Sequence, residues 1–433
     1  MKLKKLLIIT YYWPPTGGVG VQRWLKFSKQ LVDLGYSVSV LTPSSDYIAN
    51  LDSSLQSQLS KEIVEYKVRV KDSFSLLKYF VKSKSSSQHN SIVEKRDKNI
   101  IEKLILWARA NIIIPDPRIN WVKPAFSKLD TILREQTIDL VITTGPPHST
   151  HLIGLKLKKK YPYIKWLVDF RDPWTDWDIY KQMPMSRWAY NKHLKLEKEV
   201  IEKCDKTITI GKSLAEAFNL KTSKKVDFVM NGLGFQTIPQ KNSCKSDSFL
   251  VSYFGILNNQ RNPSTLWKAL NQCCEEDKAF YDKLELVLGG IISESVINEI
   301  KSYSHLKEKL KLVGYLSHNE VLTYCHNSSL NLLLLNNTDN SKWIIPMKLF
   351  DYLTCEKPIL MVGLLKSDAG EIISDMKAGE IVGFEDFKGM KKAFIEAFDM
   401  KNKQKKFNHA IDLEKFSIEK NTEKLSRIIQ SIP

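Results

Sequence analysis

The stretch KLLIITYYWPPTGGVGVQRWLKF (residues 5–27) decides the fold. Residues 5–10 read as a continuous buried strand around the apolar run 6–9, as expected of a strand covered on both faces. Pro14-Pro15 and the glycines Gly17, Gly18 and Gly20 then break the chain. Residues 21–34 carry a helical pattern that Gly35 ends. A second buried strand, residues 37–42, closes at Pro43. Strand, glycine turn, helix and strand make a βαβ unit, which places the chain in the α/β class. The turn has two readings. A glycine-rich step from strand into helix offers unpaired N–H groups and the positive end of the helix dipole to an anion. It serves equally as a simple reversal of the chain. The dinucleotide spacing G-x-G-x-x-G is absent, because Gly18-x-Gly20 is followed three residues on by Arg23. No acidic residue closes the second strand for a ribose hydroxyl, so NAD binding is disfavoured.

Working outward, residues 44–110 are less regular, and the Ser/Lys-rich residues 82–91 read as a loop. Order resumes with strands at 139–143, 166–170, 206–210 and 226–230 and helices at 148–160 and 186–203. Asn231-Gly232 breaks the chain, and residues 236–247 are polar and linker-like. The second half restarts the pattern. A strand at 250–253 ends at Gly255, a helix covers 263–273, and a strand at 284–288 ends in Gly289-Gly290. Further strands follow at 310–313, 330–335 and 358–362. Two successive α/β halves of this kind imply two Rossmann-like, doubly wound sheets facing a cleft, with the strand C-termini at the ligand edge. The expected domains are 1–230 and 231–433, with return of the last helix to the first domain as the alternative.

Composition sets outer limits. The 433 residues suggest two or three domains, and 43% hydrophobic with 10% aromatic residues is ample for packed cores. No run approaches the ~18–20 apolar residues that span a bilayer. The short N-terminal apolar run, followed by Tyr11, Tyr12 and Trp13, suits a buried strand better than a cleaved signal. A cytoplasmic protein is therefore expected, with Cys204, Cys244, Cys273, Cys274, Cys325 and Cys355 reduced. No Cys/His spacing suits a metal. The net charge of +17 favours anionic partners, such as nucleotides, polyphosphates or a membrane surface, or it is a solvated lysine-rich exterior. The charge is clustered at Lys156, Lys158, Lys159 and Lys160 and at Lys221, Lys224 and Lys225. Aromatic RNA-binding patterns and Cys/His modules are absent, so nucleic acid is not an expected partner.

The order of motifs along the chain resembles the family 4 glycosyltransferases of GT-B fold. Pro14-Pro15 through Gly17-Gly18 to Val21-Gln22-Arg23, then Leu34-Gly35-Tyr36, look like that family's opening. Thr144-Gly145-Pro146-Pro147-His148-Ser149 and Asp169-Phe170-Arg171-Asp172-Pro173-Trp174 are similar to a bacterial polysaccharide-assembly branch. Tyr253-Phe254-Gly255, Val313-Gly314-Tyr315-Leu316 and Ile345-Pro346-Met347-Lys348-Leu349-Phe350-Asp351 resemble motifs of the donor domain. The resemblance implies an acceptor-binding first domain and a donor-binding second domain. It also implies transfer from a UDP- or GDP-linked sugar to a glycan or lipid-linked saccharide, with retention and without a metal or other cofactor.

Such a reaction must neutralise a departing diphosphate and hold an acceptor hydroxyl in line with an oxocarbenium-like sugar. The resemblance assigns the diphosphate to Gly17, Gly18, Arg261 and Lys348, and the ribose to Asp351, where the family has glutamate. Ile256 and Trp343 stand where the family has a basic residue and a second glutamate. Asn337, Thr338, Asp339 or Asn340 are left as candidates for the sugar hydroxyls. Asp172 and then Asp169 are candidate bases, and His148, which opens a helix in another loop, is a further catalytic candidate or a structural hydrogen bonder. The two carboxylates have a structural alternative, pairing with Arg171 to cap their loop. Residues 74–82 and 101–114 mix apolar, aromatic and basic side chains, suiting either a lipid interface or a packed core. A peripheral position on the inner face of the cytoplasmic membrane is the matching expectation. The rival functions are a nucleotide-sugar epimerase of the same shape and a non-catalytic nucleotide-sugar-binding scaffold.

Overall fold

A computed structural model describes residues 4–17, 19–44, 53–56, 58–70, 100–177, 180, 183–233, 247–404, 407 and 413–433. Gly18, residues 74–82 and 82–91, Cys244 and most of the linker-like stretch lie outside them. The chain divides into two compact units, Met1–Gly232 with Ile418–Pro433, and Leu233–Ser417. The first unit thus extends to Gly232, past the expected 230, and takes the terminal helix.

In the first unit the elements run β1 (Lys5–Ile9), α1 (Val19–Asp33), β2 (Ser37–Pro43), β3 (Val64–Val68), α2 (Ile100–Asn111), α3 (Val122–Glu135), β4 (Leu140–Gly145), α4 (Ser149–Lys160), β5 (Lys165–Phe170), α5 (Arg187–Lys203), β6 (Lys206–Thr209), α6 (Lys212–Asn219) and β7 (Val226–Phe228). The strands form one sheet of order β3-β2-β1-β4-β5-β6-β7, and every pairing is parallel. Residues 6–9 of β1 and 140–142 of β4 are buried without a break, which explains their apolar runs. β3, at the sheet's end, is only partly buried and alternates in composition, which is why the runs of residues 44–110 do not reveal it.

The second unit runs β8 (Phe249–Leu257), α7 (Ser264–Glu276), β9 (Leu284–Ile292), α8 (Glu294–Ser302), β10 (Leu310–Gly314), α9 (His318–Asn327), β11 (Leu330–Leu334), α10 (Met347–Thr354), β12 (Ile359–Val362), α11 (Asp368–Asp375), β13 (Gly379–Val382) and α12 (Phe387–Asn402). Its parallel sheet has the order β10-β9-β8-β11-β12-β13. A capping box of Ser317 and Glu320 starts α9. Gly255 and Gly290 do not end their strands, as the sequence reading expected. They pair with each other inside β8 and β9. Their φ angles are +137° and +102°. A Cβ on Gly290 would lie 2.4 Å from the Gly255 carbonyl oxygen, so glycine here lets the two backbones approach closely and the strands continue.

The chain returns to the first unit through α13 (Ile418–Gln430). Ile418, Thr422, Leu425 and Ile429 are buried at helical spacing, and the three apolar ones join the core of Leu6, Ile8, Trp24 and Phe27. Tyr36 and Ser426 share a hydroxyl hydrogen bond of 2.7 Å, and the Lys4 ammonium donates to the Ile429 carbonyl. At Gly232 an added Cβ would stand 2.3 Å from Cα of Ile418, so the outgoing and returning strands of chain touch where only glycine fits.

Candidate functional site

In open parallel sheets, ligands bind beyond the strand C-termini where the strand order reverses. In the first unit that point lies between β1 and β4, and in the second between β8 and β11.

At the first point three loops meet, after β1, β4 and β5. Arg171 ties them together. Its Nε donates to the Gly145 carbonyl at 3.2 Å, one terminal nitrogen donates to the Gly20 carbonyl at 2.5 Å, and the other donates to the Pro146 carbonyl. Asp169, at the end of β5, is fully buried. Both its oxygens are taken. Arg23 donates from Nε at 3.2 Å and from Nη2 at 3.0 Å, the Trp24 indole at 2.7 Å and the Thr144 hydroxyl at 2.9 Å. Arg23 also donates to the Val229 carbonyl and to the Asn231 side chain. The residue that displaces a third glycine from the turn is therefore the buried counter-ion of Asp169. Neither carboxylate pairs with Arg171 by a hydrogen bond; Asp169 pairs with Arg23 instead. Asp169 sits in a saturated network and has no face left for an acceptor hydroxyl.

Asp172 differs. It is half-buried, and among the described residues no hydrogen bond reaches its carboxylate. Burial raises its pKa above the ordinary carboxylate range, with Arg171 opposing and Asp169 adding to the rise. His148 precedes the first turn of α4. Its ring is buried and stacked on Trp174, with centroids 5.0 Å apart and planes within 2°. Neither ring nitrogen has a hydrogen-bond partner among the described residues. Desolvation, helped by His151, Arg171 and His193, holds its pKa well below 6.5, so the imidazole is neutral. Gly17 lies between β1 and α1 in a half-buried turn.

At the second point the loop after β8 carries Arg261. Its Nε donates to the Asn336 side chain at 3.0 Å and its Nη1 to the Ile256 carbonyl at 2.9 Å. These bonds aim the guanidinium along the end of β8. Lys348, in the first turn of α10, donates to the Phe254 carbonyl at 2.9 Å and lies 4.1 Å from the Tyr253 ring centroid. Its ammonium would stand 2.9 Å from a Cβ on Gly255, so this glycine also makes room for the cation. Burial lowers the pKa of Lys348, and Arg261 lowers it further. Two cations are thus held together at one strand end. Asp351 follows Lys348 on the same helix face, and its Oδ1 is 3.3 Å from Nε2 of His318 on α9. Pattern reading gave no hint of His318, because its contact crosses between helices.

The Asn337 amide donates to the Gln260 carbonyl at 2.9 Å, which joins the loop after β11 to the loop of Arg261. Asn337 and Asp339 are exposed and Asn340 is buried. The hydroxyls of Thr338 and Ser341 are buried with no hydrogen-bond partner among the described residues. Trp343 is buried and lies under Lys342. Among the described residues no group of three His, Cys, Asp or Glu side chains is placed to hold a metal ion.

No family model and no curated protein sequence matches the chain. Solved structures do match its whole length. Sucrose-phosphate synthase from Thermosynechococcus elongatus aligns with a TM-score of 0.63 and 13% identity, over 99% of this chain and 98% of the other. Anabaena HepE in complex with UDP-glucose aligns with a TM-score of 0.61 and 11% identity, over 99% of both chains. A putative UDP-N-acetylglucosamine 2-epimerase from Listeria monocytogenes gives 0.55 and 10%, over 99% of this chain and 96% of the other. Two parallel sheets of seven and six strands and these likenesses define the GT-B fold.

Proposed function

We propose that the protein is a glycosyltransferase that moves a sugar from a UDP- or GDP-linked donor to a glycan or lipid-linked saccharide. The convergence of Arg261 and Lys348 at the β8/β11 switch point, with Asp351 one turn further along α10, carries this reading. In the reaction the anomeric carbon–oxygen bond to the diphosphate breaks and a bond to the acceptor oxygen forms. The acceptor proton passes to a base or to the departing diphosphate. Arg261 and Lys348 neutralise the charge that collects on the leaving group. Asp351 accepts from ribose hydroxyls, and the loop of Asn337, Thr338, Asp339 and Asn340 meets the sugar. The turn at Gly17 and Gly18 supplies backbone N–H groups to phosphate.

On the acceptor side Asp172 is the base, since no hydrogen bond among the described residues occupies its carboxylate and burial raises its pKa above the ordinary carboxylate range. Asp169 is a positioning residue that acts through Arg23, and neutral His148 offers a hydrogen bond rather than a charge. The finer reading is a retaining, metal-free hexosyl or N-acetylhexosaminyl transfer in surface polysaccharide assembly, such as O-antigen or capsule. A lipid-linked acceptor fits the surface of α2, where Ile100, Ile101, Leu104 and Trp107 are exposed along one side. No described helix is long and apolar enough to cross a membrane. The exposed apolar side of α2 supports a peripheral position on the cytoplasmic face. Co-flotation with anionic liposomes at moderate salt tests this, and a protein that never floats refutes it.

Thermal stabilisation by a panel of UDP- and GDP-sugars identifies the donor, because a ligand at ~100 times its Kd adds about 2.7 kcal/mol. Stabilisation by none of them counts against the reading. The likeness to an epimerase supports a second reading, in which donor alone is isomerised. Slow hydrolysis of donor without isomerisation decides for the transferase.

A further inference from the structure

Among the described residues nothing hydrogen-bonds the Asp172 carboxylate, so its position is set by the backbone on either side of it. On the near side Arg171 fastens the loop after β5 to the Gly145, Gly20 and Pro146 carbonyls. On the far side the loop is held by α5. The Trp174 indole donates to Nδ1 of His193 at 3.0 Å. The Thr175 amide donates to Oε1 of Glu197 at 3.2 Å, and the Thr175 hydroxyl donates to Oε2 at 2.6 Å. His193 and Glu197 stand one turn apart on α5, so a single helix face grips the loop at successive residues. Trp174, Thr175, His193 and Glu197 are all buried.

Glu197 has a counter-ion of its own. Lys221, just beyond α6, donates to Glu197 Oε2 at 2.9 Å and pairs with Asp176 at 2.6 Å. It also donates to the Thr175 hydroxyl oxygen at 3.2 Å. The Thr175 hydroxyl thus accepts from the ammonium and gives its proton to the carboxylate, which leaves it one orientation. A buried ion pair adds little stability over well-packed apolar side chains, because desolvation offsets its Coulomb gain. Its particular property is directional. Short charge-assisted hydrogen bonds satisfy one arrangement of their partners and penalise the others. The arrangement satisfied here is that of the loop carrying Asp172. His193 reinforces it. Burial lowers its pKa to about 4, so at neutral pH Nδ1 is an unprotonated acceptor for the Trp174 indole. Trp174 in turn stacks on His148.

We infer that Glu197 is a positioning residue for the Asp172 base: through Thr175, and with His193 holding Trp174 beside it, it fixes the backbone that aims the Asp172 carboxylate at the acceptor. The inference rests on the glycosyltransferase reading, in which Asp172 is the base, and adds residues that touch neither substrate nor reacting atoms. Local sequence does not mark Glu197, which lies 22 positions from Thr175.

The test uses the full chain and follows release of UDP or GDP from whichever UDP- or GDP-sugar stabilises the wild type. Glu197→Ala removes both acceptors of Thr175. Its kcat is expected to fall roughly tenfold to a hundredfold, as misplacement of a reacting group does, while the donor KM stays at the wild-type value. Glu197→Gln keeps an acceptor oxygen for the Thr175 amide and should recover most of that loss. The pH profile separates positioning from stability. In folded Glu197→Ala the loop loosens and water reaches Asp172, while its charged neighbours Arg171 and Asp169 are unchanged. The pKa of Asp172 falls back toward the ordinary carboxylate range, and the acid limb of kcat moves to lower pH. Hydrogen exchange adds a readout that needs no turnover, since the Thr175 amide should exchange faster in Glu197→Ala than in the wild type. If Glu197→Ala does not fold, Thr175→Val takes its place, with an expected loss in kcat of roughly fivefold, as for one hydrogen bond. Wild-type kcat and an unmoved acid limb in the folded variant overturn the inference, as does a Thr175 amide that stays protected in Glu197→Ala. With an active wild type these outcomes sink this inference alone, whereas a wild type that turns over no donor sinks the reading on which it stands.

Discussion

The two switch points are built on the same plan and filled in opposite ways. In the first unit charges are buried and spent. Asp169 has four donors, Arg23 is bonded on every side, and Arg171 is fastened to three carbonyls. In the second unit Arg261 and Lys348 are half-buried, and backbone carbonyls, not carboxylates, hold them. Arg23 is neutralised by Asp169 and Arg171 is buried with Nε and both terminal nitrogens committed, whereas Arg261 and Lys348 are half-buried and keep donors open to a ligand. The same strand-end geometry thus gives a fixed scaffold in one unit and, on the proposed function, an anion site in the other.

Substitutions that interchange these roles would break the comparison. The largest effect is expected at the two neighbouring carboxylates. Asp169→Asn leaves Arg23 buried without its counter-ion and should cost about 3–5 kcal/mol in urea denaturation. Asp172→Asn should leave stability near wild type and lower kcat by roughly 10²–10⁴, as loss of a general base does. Equal losses of stability in both variants would erase the distinction between scaffold and base. Arg261→Ala comes next. It removes a charge-assisted contact of about 1.5–3 kcal/mol, so kcat/KM should fall roughly tenfold to a hundredfold with little change in Tm. Wild-type turnover in this variant would refute the anion site.

Lys348 gives a subtler signature. Its folded pKa lies below the ordinary 10.5. Between the two values the unfolded chain binds more protons, so stability rises with pH across that window. Bound diphosphate pulls the pKa back up, and nucleotide affinity should therefore fall as pH rises through the same window. Lys348→Met should remove that fall, which titrations at several pH values detect. The smallest effect belongs to the first unit. Burial holds His151 at about 3 against an ordinary 6.5. The unfolded chain takes up the proton first, so stability is lost as pH drops from about 6.5 toward 3. His151→Gln should flatten that slope, and an unchanged slope would show that other groups govern acid unfolding.

The α/β class and both sheets were legible because buried parallel strands write themselves as local apolar runs, as at Leu6 to Ile9 and at Ile359 to Val362. The edge strands β3 and β13 were not, since short, half-exposed strands carry no such run. Gly255 and Gly290 were misread as strand ends. A glycine looks the same in sequence whether it breaks a strand or lets two strands approach, and only their pairing separates the cases. The candidate residues Arg261, Lys348 and Asp351 are gathered at one strand end and the following helix face. The partner of Asp169 could not be read, because Arg23 lies 146 positions away and an ion pair across that distance leaves no pattern. Arg23 registered only as a missing glycine.

The return of α13 to the first unit fixes an order of events during synthesis. The ribosome makes all of Leu233–Ser417 before it makes the helix whose Leu425 and Ile429 complete the first unit's core. The second unit has its whole sequence available while the first is still short of one wall. The N-terminal half, though translated first, is the later of the two to have its whole sequence available, because its core lacks Leu425 and Ile429 until α13 emerges.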